Sequence, residues 1–277
     1  RELSNNSTFS WGLDAESTEG AYKENQPNPT TGALFTRRTV PQGMHYDYEV
    51  EANQFAVFAN YETPLTDRLD LSIGARLENI DYEYDNLMLD GRTDANGVAC
   101  GFGGCRFSRP ADRDDDFSDI SPKLGLSYEL NGNHNFFVRA QRGIRAPQST
   151  ELYRLQGSQS VADLDSVELD SYELALQGAG SNWNYSASLY WMDKENEVLK
   201  DSSRMNLNGS HTKHQGFEVA VGYDLTNSLS LAGVYNLADH TYENDLVSGG
   251  QNINGNDIDT CLLYTSPSPR DQRGSRM

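Results

Sequence analysis

The chain has no run of about 18 apolar residues, so no helix of it can cross a bilayer. Basic residues are scarce: 22 Lys and Arg stand against 41 Asp and Glu in 277 residues, a formal net charge of −19. With no basic stripe to neutralise phosphates, nucleic acid is excluded as a partner. Cysteine is nearly absent, with three in all. No H-E-x-x-H, G-x-S-x-G, P-loop or dinucleotide fingerprint occurs, and no Ser/His or Asp/His pair stands out, so neither an enzyme nor a cofactor is expected. Hydrophobic residues make up only 36%, a level common in soluble acidic or partly disordered chains. The 15 Tyr, 10 Phe and 3 Trp oppose disorder, because chains that cannot build a core are poor in aromatics. The length suits one large domain or two ordinary ones.

What the chain does have is period-two alternation, the signature of strands with one apolar and one polar face. Leu69, Leu71, Ile73, Ala75 and Leu77 alternate with Asp70, Ser72, Gly74, Arg76 and Glu78. The same pattern marks eight further segments. They carry Phe9–Ala15, Phe55–Tyr61, Leu124–Leu130, Phe136–Ala140, Tyr172–Leu176, Trp183–Trp191, Phe217–Leu225 and Leu229–Leu237. The turns after Glu62, Leu130, Gly178 and Leu225 are short. Long polar loops are expected over 16–46, 86–116, 144–166 and 201–213.

Strict alternation of short and long connections is what an antiparallel up-and-down sheet requires when all long loops leave from one end. Transmembrane β-barrels have this layout, with about 10 alternating residues per strand and polar outer loops. Tyr61, Tyr128, Trp183, Trp191, Tyr223 and Tyr235 fall towards the ends of the apolar faces, where interfacial girdles belong. A soluble sandwich also alternates, but strands of 10 to 15 residues are long for one, since the usual length is about 5 or 6. The fold expected is all-β: about nine strands of a larger transmembrane barrel, because an open sheet would leave exposed edges in lipid.

Residues 260–277 break the pattern, with no alternation and a cluster of Arg270, Arg273 and Arg276. The string CLLYTSPSPRD resembles the conceptual translation of a transposase-type sequencing adapter. Two segments are therefore expected: a partial barrel over 1–259 and a non-native read-through tail over 260–277, which takes Cys261 with it.

Several stretches resemble the TonB-dependent outer-membrane receptors. Gly74-Ala75-Arg76 is similar to the family's glycine–any–arginine step. RGIRAPQSTELY, with Arg145, Ala146, Pro147, Glu151, Leu152 and Tyr153, resembles its arginine–alanine–proline step. LDSVELDSYELAL resembles the opening of the next strand around Glu168, Tyr172 and Glu173, although the usual prolines before it are missing. Gly216-Phe217-Glu218 resembles the glycine–aromatic–glutamate strand start. The resemblance covers residues 9 to 245 and lacks the family's plug domain, TonB-contacting box and terminal strand. It implies uptake of a scarce nutrient, most often a ferric siderophore, powered by an inner-membrane complex acting through TonB, in the lipid of the bacterial outer membrane. Cobalamin, haem or a glycan would be other cargoes. A passive porin or adhesin is the alternative.

Against that frame, Arg37, Arg38, Arg92, Arg106, Arg109 and Arg113 are candidate ligand contacts in outer loops, since guanidinium can grip an anionic chelate bidentately. They can equally balance neighbouring Asp. Arg145 and Glu151 read as a structural pair at the barrel mouth, and Pro147, Tyr153, Glu168, Gly216 and Glu218 as structural motif residues. Cys100 and Cys105, spaced C-GFGG-C, suit a loop-tip disulfide in an oxidising exterior. Asp112, Asp114 and Asp116 imitate the start of a calcium loop, but Phe117 replaces the required Gly and Lys123 the closing Glu, so a solvated acidic loop is expected. His211 and His214 read as a loop-to-strand junction. No metal site is expected.

Overall fold

The computed structural model describes residues 2–3, 7–201, 203–243, 247–248, 251–252 and 254–258. Nine long strands form one sheet: β1 (Ser7–Gln26), β2 (Gly43–Thr66), β3 (Leu69–Asn86), β4 (Arg113–Asn131), β5 (His134–Arg145), β6 (Val167–Ala179), β7 (Trp183–Lys200), β8 (Asn206–Thr226) and β9 (Leu229–Tyr242). They lie side by side in chain order, each antiparallel to the last, with the two-residue strand Glu2–Leu3 beside β1. Among the described residues the sheet does not close on itself. Two short helices, α1 (Leu34–Thr39) and α2 (Ser149–Tyr153), lie in the connections at one end. The expectation for residues 260–277 lies outside the described residues.

Each connection at the opposite end is only two or three residues, at 67–68, 132–133, 180–182 and 227–228. At the loop end the expected boundaries need correction. The loop expected over 16–46 is only 27–42, because β1 runs on to Gln26 and β2 begins at Gly43. The second spans 87–112, so Asp114 and Asp116 sit in β4 rather than in a solvated loop. The third spans 146–166, because β5 runs two residues further than expected, through Ile144 and Arg145. The fourth is not long at all: it is 201–205, and His211 and His214 lie inside β8 rather than at its start. Strict alternation of short and long therefore fails at this last connection.

One physical cause accounts for the underestimated strands. Near the turn end, cross-strand neighbours such as Leu13, Val57, Leu77 and Ile120 line up on the outer face. All four are exposed, the right condition for side chains that face lipid. Two positions along, the same face reads Ala15, Phe55, Asn79 and Ser118. Six positions along it reads Glu19, Glu51, Glu83 and Asp114, a row of four acids directly opposite one another. There the apolar residues have moved to the inner face: Tyr46, Tyr48 and Val50 on β2, and Tyr82 and Tyr84 on β3. A strand that continues beyond the lipid thus keeps its hydrogen-bond ladder but changes which face is apolar.

Glycines are used where the inner face is crowded. A side chain at Gly74 would lie 2.3 Å from Asn60 Oδ1 and 2.8 Å from Lys123 Cε. Its neighbour on that face, Arg76, is clasped by Asp14 and by Glu78, the latter at 2.7 Å. Tyr190 packs over Gly216, its direct cross-strand partner, where an added Cβ would lie 2.4 Å from the phenol oxygen. On the outer face Tyr128, Trp191, Tyr223 and Tyr235 are exposed, as girdle residues are.

Ile73, midway along the apolar stretch of β3, supplies a test of the lipid-facing assignment. Ile73→Arg in the full-length protein should destabilise the refolded barrel by about 2–4 kcal/mol, the usual cost near a bilayer midplane. Asp81→Arg, on the same face beyond the lipid, should cost far less. Urea titrations in vesicles of both variants check the contrast.

Candidate functional site

The loop end is where the chain builds its buried core. Strand β2 supplies Tyr46, Tyr48 and Val50, and β3 supplies Tyr84. Against this wall pack Phe107 and Cys105 from loop 87–112, and Leu152, Tyr153 and Leu155 from loop 146–166. Tyr84 stacks on Tyr153 at 4.3 Å between ring centroids, and His45 stacks on Phe107 at 4.3 Å. The two loops also share a short antiparallel pairing, Phe107–Ser108 with Leu155–Gln156. The Tyr46 hydroxyl donates to the Leu155 carbonyl. Aromatic contacts of this kind are each worth about 0.5–1.5 kcal/mol beyond their burial.

The arginine–alanine–proline stretch forms the joint between β5 and this core. Arg145 makes a two-pronged contact with Glu151, at 2.9 and 3.3 Å. Glu151 also accepts the Gln148 N–H at 2.7 Å, closing a capping box at the start of α2. Pro147 is fully buried. The helix then delivers Tyr153, whose hydroxyl donates to Asp115 Oδ2 at 2.9 Å. Burial and that carboxylate push the Tyr153 phenol well above its ordinary pKa, so it remains a donor. Glu168, on the other side of the loop, accepts an ion pair from Arg142 at 2.8 Å. Glu218 lies exposed on β8.

The six candidate loop arginines take different places. Arg37 and Arg38 are exposed on the last turn of α1. Arg92 donates to the Cys105 carbonyl at 2.9 Å, and Arg106 donates its backbone N–H to Thr39 O at 2.8 Å. Arg109 is almost wholly buried and spends its guanidinium on Leu89 O, His45 O, Thr93 O and Thr93 Oγ1. Arg113, expected in an outer loop, instead opens β4 opposite Tyr84 and pairs with Asp115. Cys100 and Cys105 form a disulfide with Cα atoms 4.6 Å apart.

Of the six, Arg37 and Arg38 are the two fully exposed ones, and apolar side chains stand beside them. Phe35 of loop 27–42 and Phe102 of loop 87–112 meet at 5.4 Å, both more than half exposed. The stem of Arg38 lies on Gly101, where a Cβ would come within 3.1 Å, and the Gly101 N–H donates to Arg38 O at 3.1 Å. Phe102 has a positive φ of 58°, uncommon for an aromatic residue. The result is a rim where Phe35 and the stem of Arg38 on α1 meet Phe102 and Gly101 of loop 87–112, with Arg37 exposed on the same short helix.

Two residues of this region escape sequence reading. Arg154 clamps Glu24 on β1 at 2.7 and 2.9 Å and lies over the rings of Tyr22 and Tyr46. Nothing in the local pattern pairs residues 130 positions apart. The tyrosines of β2 did carry a signal, because Tyr46, Tyr48 and Val50 alternate with Asp47, Glu49 and Glu51.

Glu24 stands well beyond the apolar stretch of β1. The His45 imidazole 3.6 Å away, with hydrogen bonds from Arg154 and Tyr22, outweighs burial and lowers its pKa to about 2. A depressed carboxylate contributes stability above its unfolded value and loses it as pH falls through the folded one. The docking of loop 146–166 should accordingly be intact above about pH 4.5 and loosen towards pH 2. Glu24→Gln should abolish that dependence. Amide hydrogen exchange over 149–156 at several pH values measures both.

The whole chain can now be set beside known proteins. A family model described as "TonB dependent receptor-like, beta-barrel" matches residues 2–272. The catecholate siderophore receptor Fiu of Escherichia coli (strain UTI89 / UPEC) is 22% identical over 224 residues, covering 78% of this chain and 29% of that protein. The chain thus spans under a third of the length of the curated relatives it matches. Among solved structures, the closed form of Fiu from E. coli K12 superposes with a TM-score of 0.60 at 19% identity, over 86% of this chain and 35% of that one. The copper transporter OprC does so at 0.66 and 15% identity, over 86% and 36%. Both carry the same barrel wall. With its nine long antiparallel strands, turns of two or three residues at one end and loops packed inside at the other, the chain belongs to the TonB-dependent receptor family of outer-membrane proteins, and it forms part of the β-barrel.

Proposed function

We propose that this chain is the ligand-capturing part of an outer-membrane receptor that imports a ferric siderophore, with transport driven through TonB and no chemistry performed on the cargo. The observation that carries the reading is the exposed rim of Phe35, Phe102, Arg37 and Arg38. Ferric chelates of this class combine flat apolar or aromatic arms with net negative charge. The aromatic pair offers a face for the arms, and guanidinium offers charge-assisted hydrogen bonds to the anionic oxygens. Arg92 braces the disulfide loop through the Cys105 carbonyl, while Arg109 is a structural anchor for loop 87–112. The Cys100–Cys105 disulfide holds Phe102 in its small ring.

The relatives support the cargo class, since a catecholate siderophore receptor is among them. A neutral glycan makes no use of guanidinium charge on the rim. A passive porin needs no buried core of loops at its mouth.

Charge-assisted hydrogen bonds contribute about 1.5–3 kcal/mol each, and about 1.4 kcal/mol is a tenfold change in affinity. Replacing both Arg37 and Arg38 by Ala in the full-length receptor should weaken binding of an anionic ferric catecholate by about 100- to 10,000-fold if each makes one such bond. Binding of a neutral ligand of similar size should change little. Fluorescence quenching with the iron-loaded chelate reads the difference. Equal affinity of wild type and double variant for every ferric chelate tried would sink the proposal.

A further inference from the structure

Strands β7 and β8 bring together three metal-ligating side chains that are far apart in sequence. Asp193 and Glu195 are two apart on β7 and share one face with Trp191. His211 is on β8, and its Nε2 contacts Asp193 Oδ1 directly. One donor atom from each of the three lies within 4.8 Å of the other two. Glu195 is aimed there by a bulge. Lys194 pairs with Thr212 and Glu197 with Ser210, so Glu195 and Asn196 together oppose His211. Asn196 takes a positive φ of 58°, and its carbonyl accepts from Asn208 Nδ2 at 2.6 Å while its own amide donates to Ser166 O at 3.2 Å. Bulges of this kind re-aim side chains at specific positions.

The surroundings of this trio are mostly acidic. Glu195 sits directly opposite Glu168, and Asp193 opposite Asp170. Two cations stand near: Lys213, exposed and directly opposite Asp193 on β8, and Arg142, which is already shared between Glu168 at 2.8 Å and Asp170 at 2.7 Å, so four acids face two cations. Like charges paired across strands are destabilising. A mixed set of one imidazole and two carboxylates suits borderline divalent transition metals, whereas calcium and magnesium prefer oxygen alone. Donors bound to zinc at about 2.0–2.2 Å lie at most about 4.4 Å apart, so small rotations of these part-exposed side chains would close the set.

We propose that Asp193, Glu195 and His211 form a binding site for a divalent transition-metal ion such as zinc on the outer wall of the barrel, beyond the Trp191 girdle. The ion ties β7 to β8 beside the short connection 201–205 and neutralises the two acids. It is separate from the rim that meets the cargo, so the two proposals stand or fall independently.

The test uses the full-length receptor in detergent, stripped with chelator and titrated with zinc alone. Wild type should bind one more zinc ion than His211→Ala, and Glu195→Gln should weaken that site at least tenfold. His214→Ala should leave it intact, because His214 is on the opposite face of β8, where it meets His240 at 2.7 Å. In the unmodified wild type, zinc should protect His211 from acylation by diethyl pyrocarbonate, read by mass spectrometry, which does not depend on any variant folding. Unchanged stoichiometry in His211→Ala, loss of the ion in His214→Ala instead, or equal His211 acylation with and without zinc would each overturn the proposal.

Discussion

The structure rests on a change of surroundings along each strand. A bilayer surrounds the lower wall, so apolar side chains must point outward and the polar ones inward. Beyond the lipid the outside is water, and the interior is filled by loops that fold back. Apolar residues there must point inward. Strand β2 makes the change within a few residues: Tyr46, Tyr48 and Val50 face in, while Phe55, Val57, Ala59 and Tyr61 belong to the outward face. The backbone ladder does not notice the crossing, because its hydrogen bonds are the same in both halves. Only the side chains record it.

This switch places the buried core at the mouth rather than in the middle of the wall. The tyrosines of β2 and β3 receive Phe107, Leu152, Tyr153 and Leu155, and the loops that carry these residues are thereby fixed. Arg154–Glu24 and Arg145–Glu151 add charged clasps at the edges, and the Cys100–Cys105 ring stiffens the loop tip. Six-residue rings restrain little chain entropy, so the disulfide matters for the shape around Phe102 more than for global stability. Loop 27–42 is tied to this assembly in turn, because Thr39 O and Arg38 O accept from the Arg106 and Gly101 N–H groups.

The nine strands were legible because lipid imposes an unbroken outward apolar stripe, as in Leu69–Leu77. Their upper halves were not, because there the outward face carries Asn79, Asp81, Glu83 and Asp85 and the pattern reads as polar loop. The Tyr46–Val50 alternation was visible but has opposite parity to Phe55–Tyr61, and a reading that looks for one continuous stripe passes over it. The Arg145–Glu151 pair is close in sequence and was foreseen. Arg154–Glu24, the Asp193–Glu195–His211 trio and the His214–His240 contact were not, since each depends on register between strands. The loop arginines show the same limit: composition groups six of them, while burial separates Arg109 from Arg37 and Arg38.

The most direct test is a scan of single nitroxide labels along β3, residues 69 to 86, in the full-length protein reconstituted in vesicles. Collisions with oxygen report lipid, and collisions with a water-soluble nickel chelate report solvent. Odd positions from 69 to 77 should contact lipid, odd positions from 79 to 85 should contact water, and even positions from 80 to 84 should be shielded from both. Lipid contact continuing through 85, or equal water access on both faces above residue 79, would contradict the account.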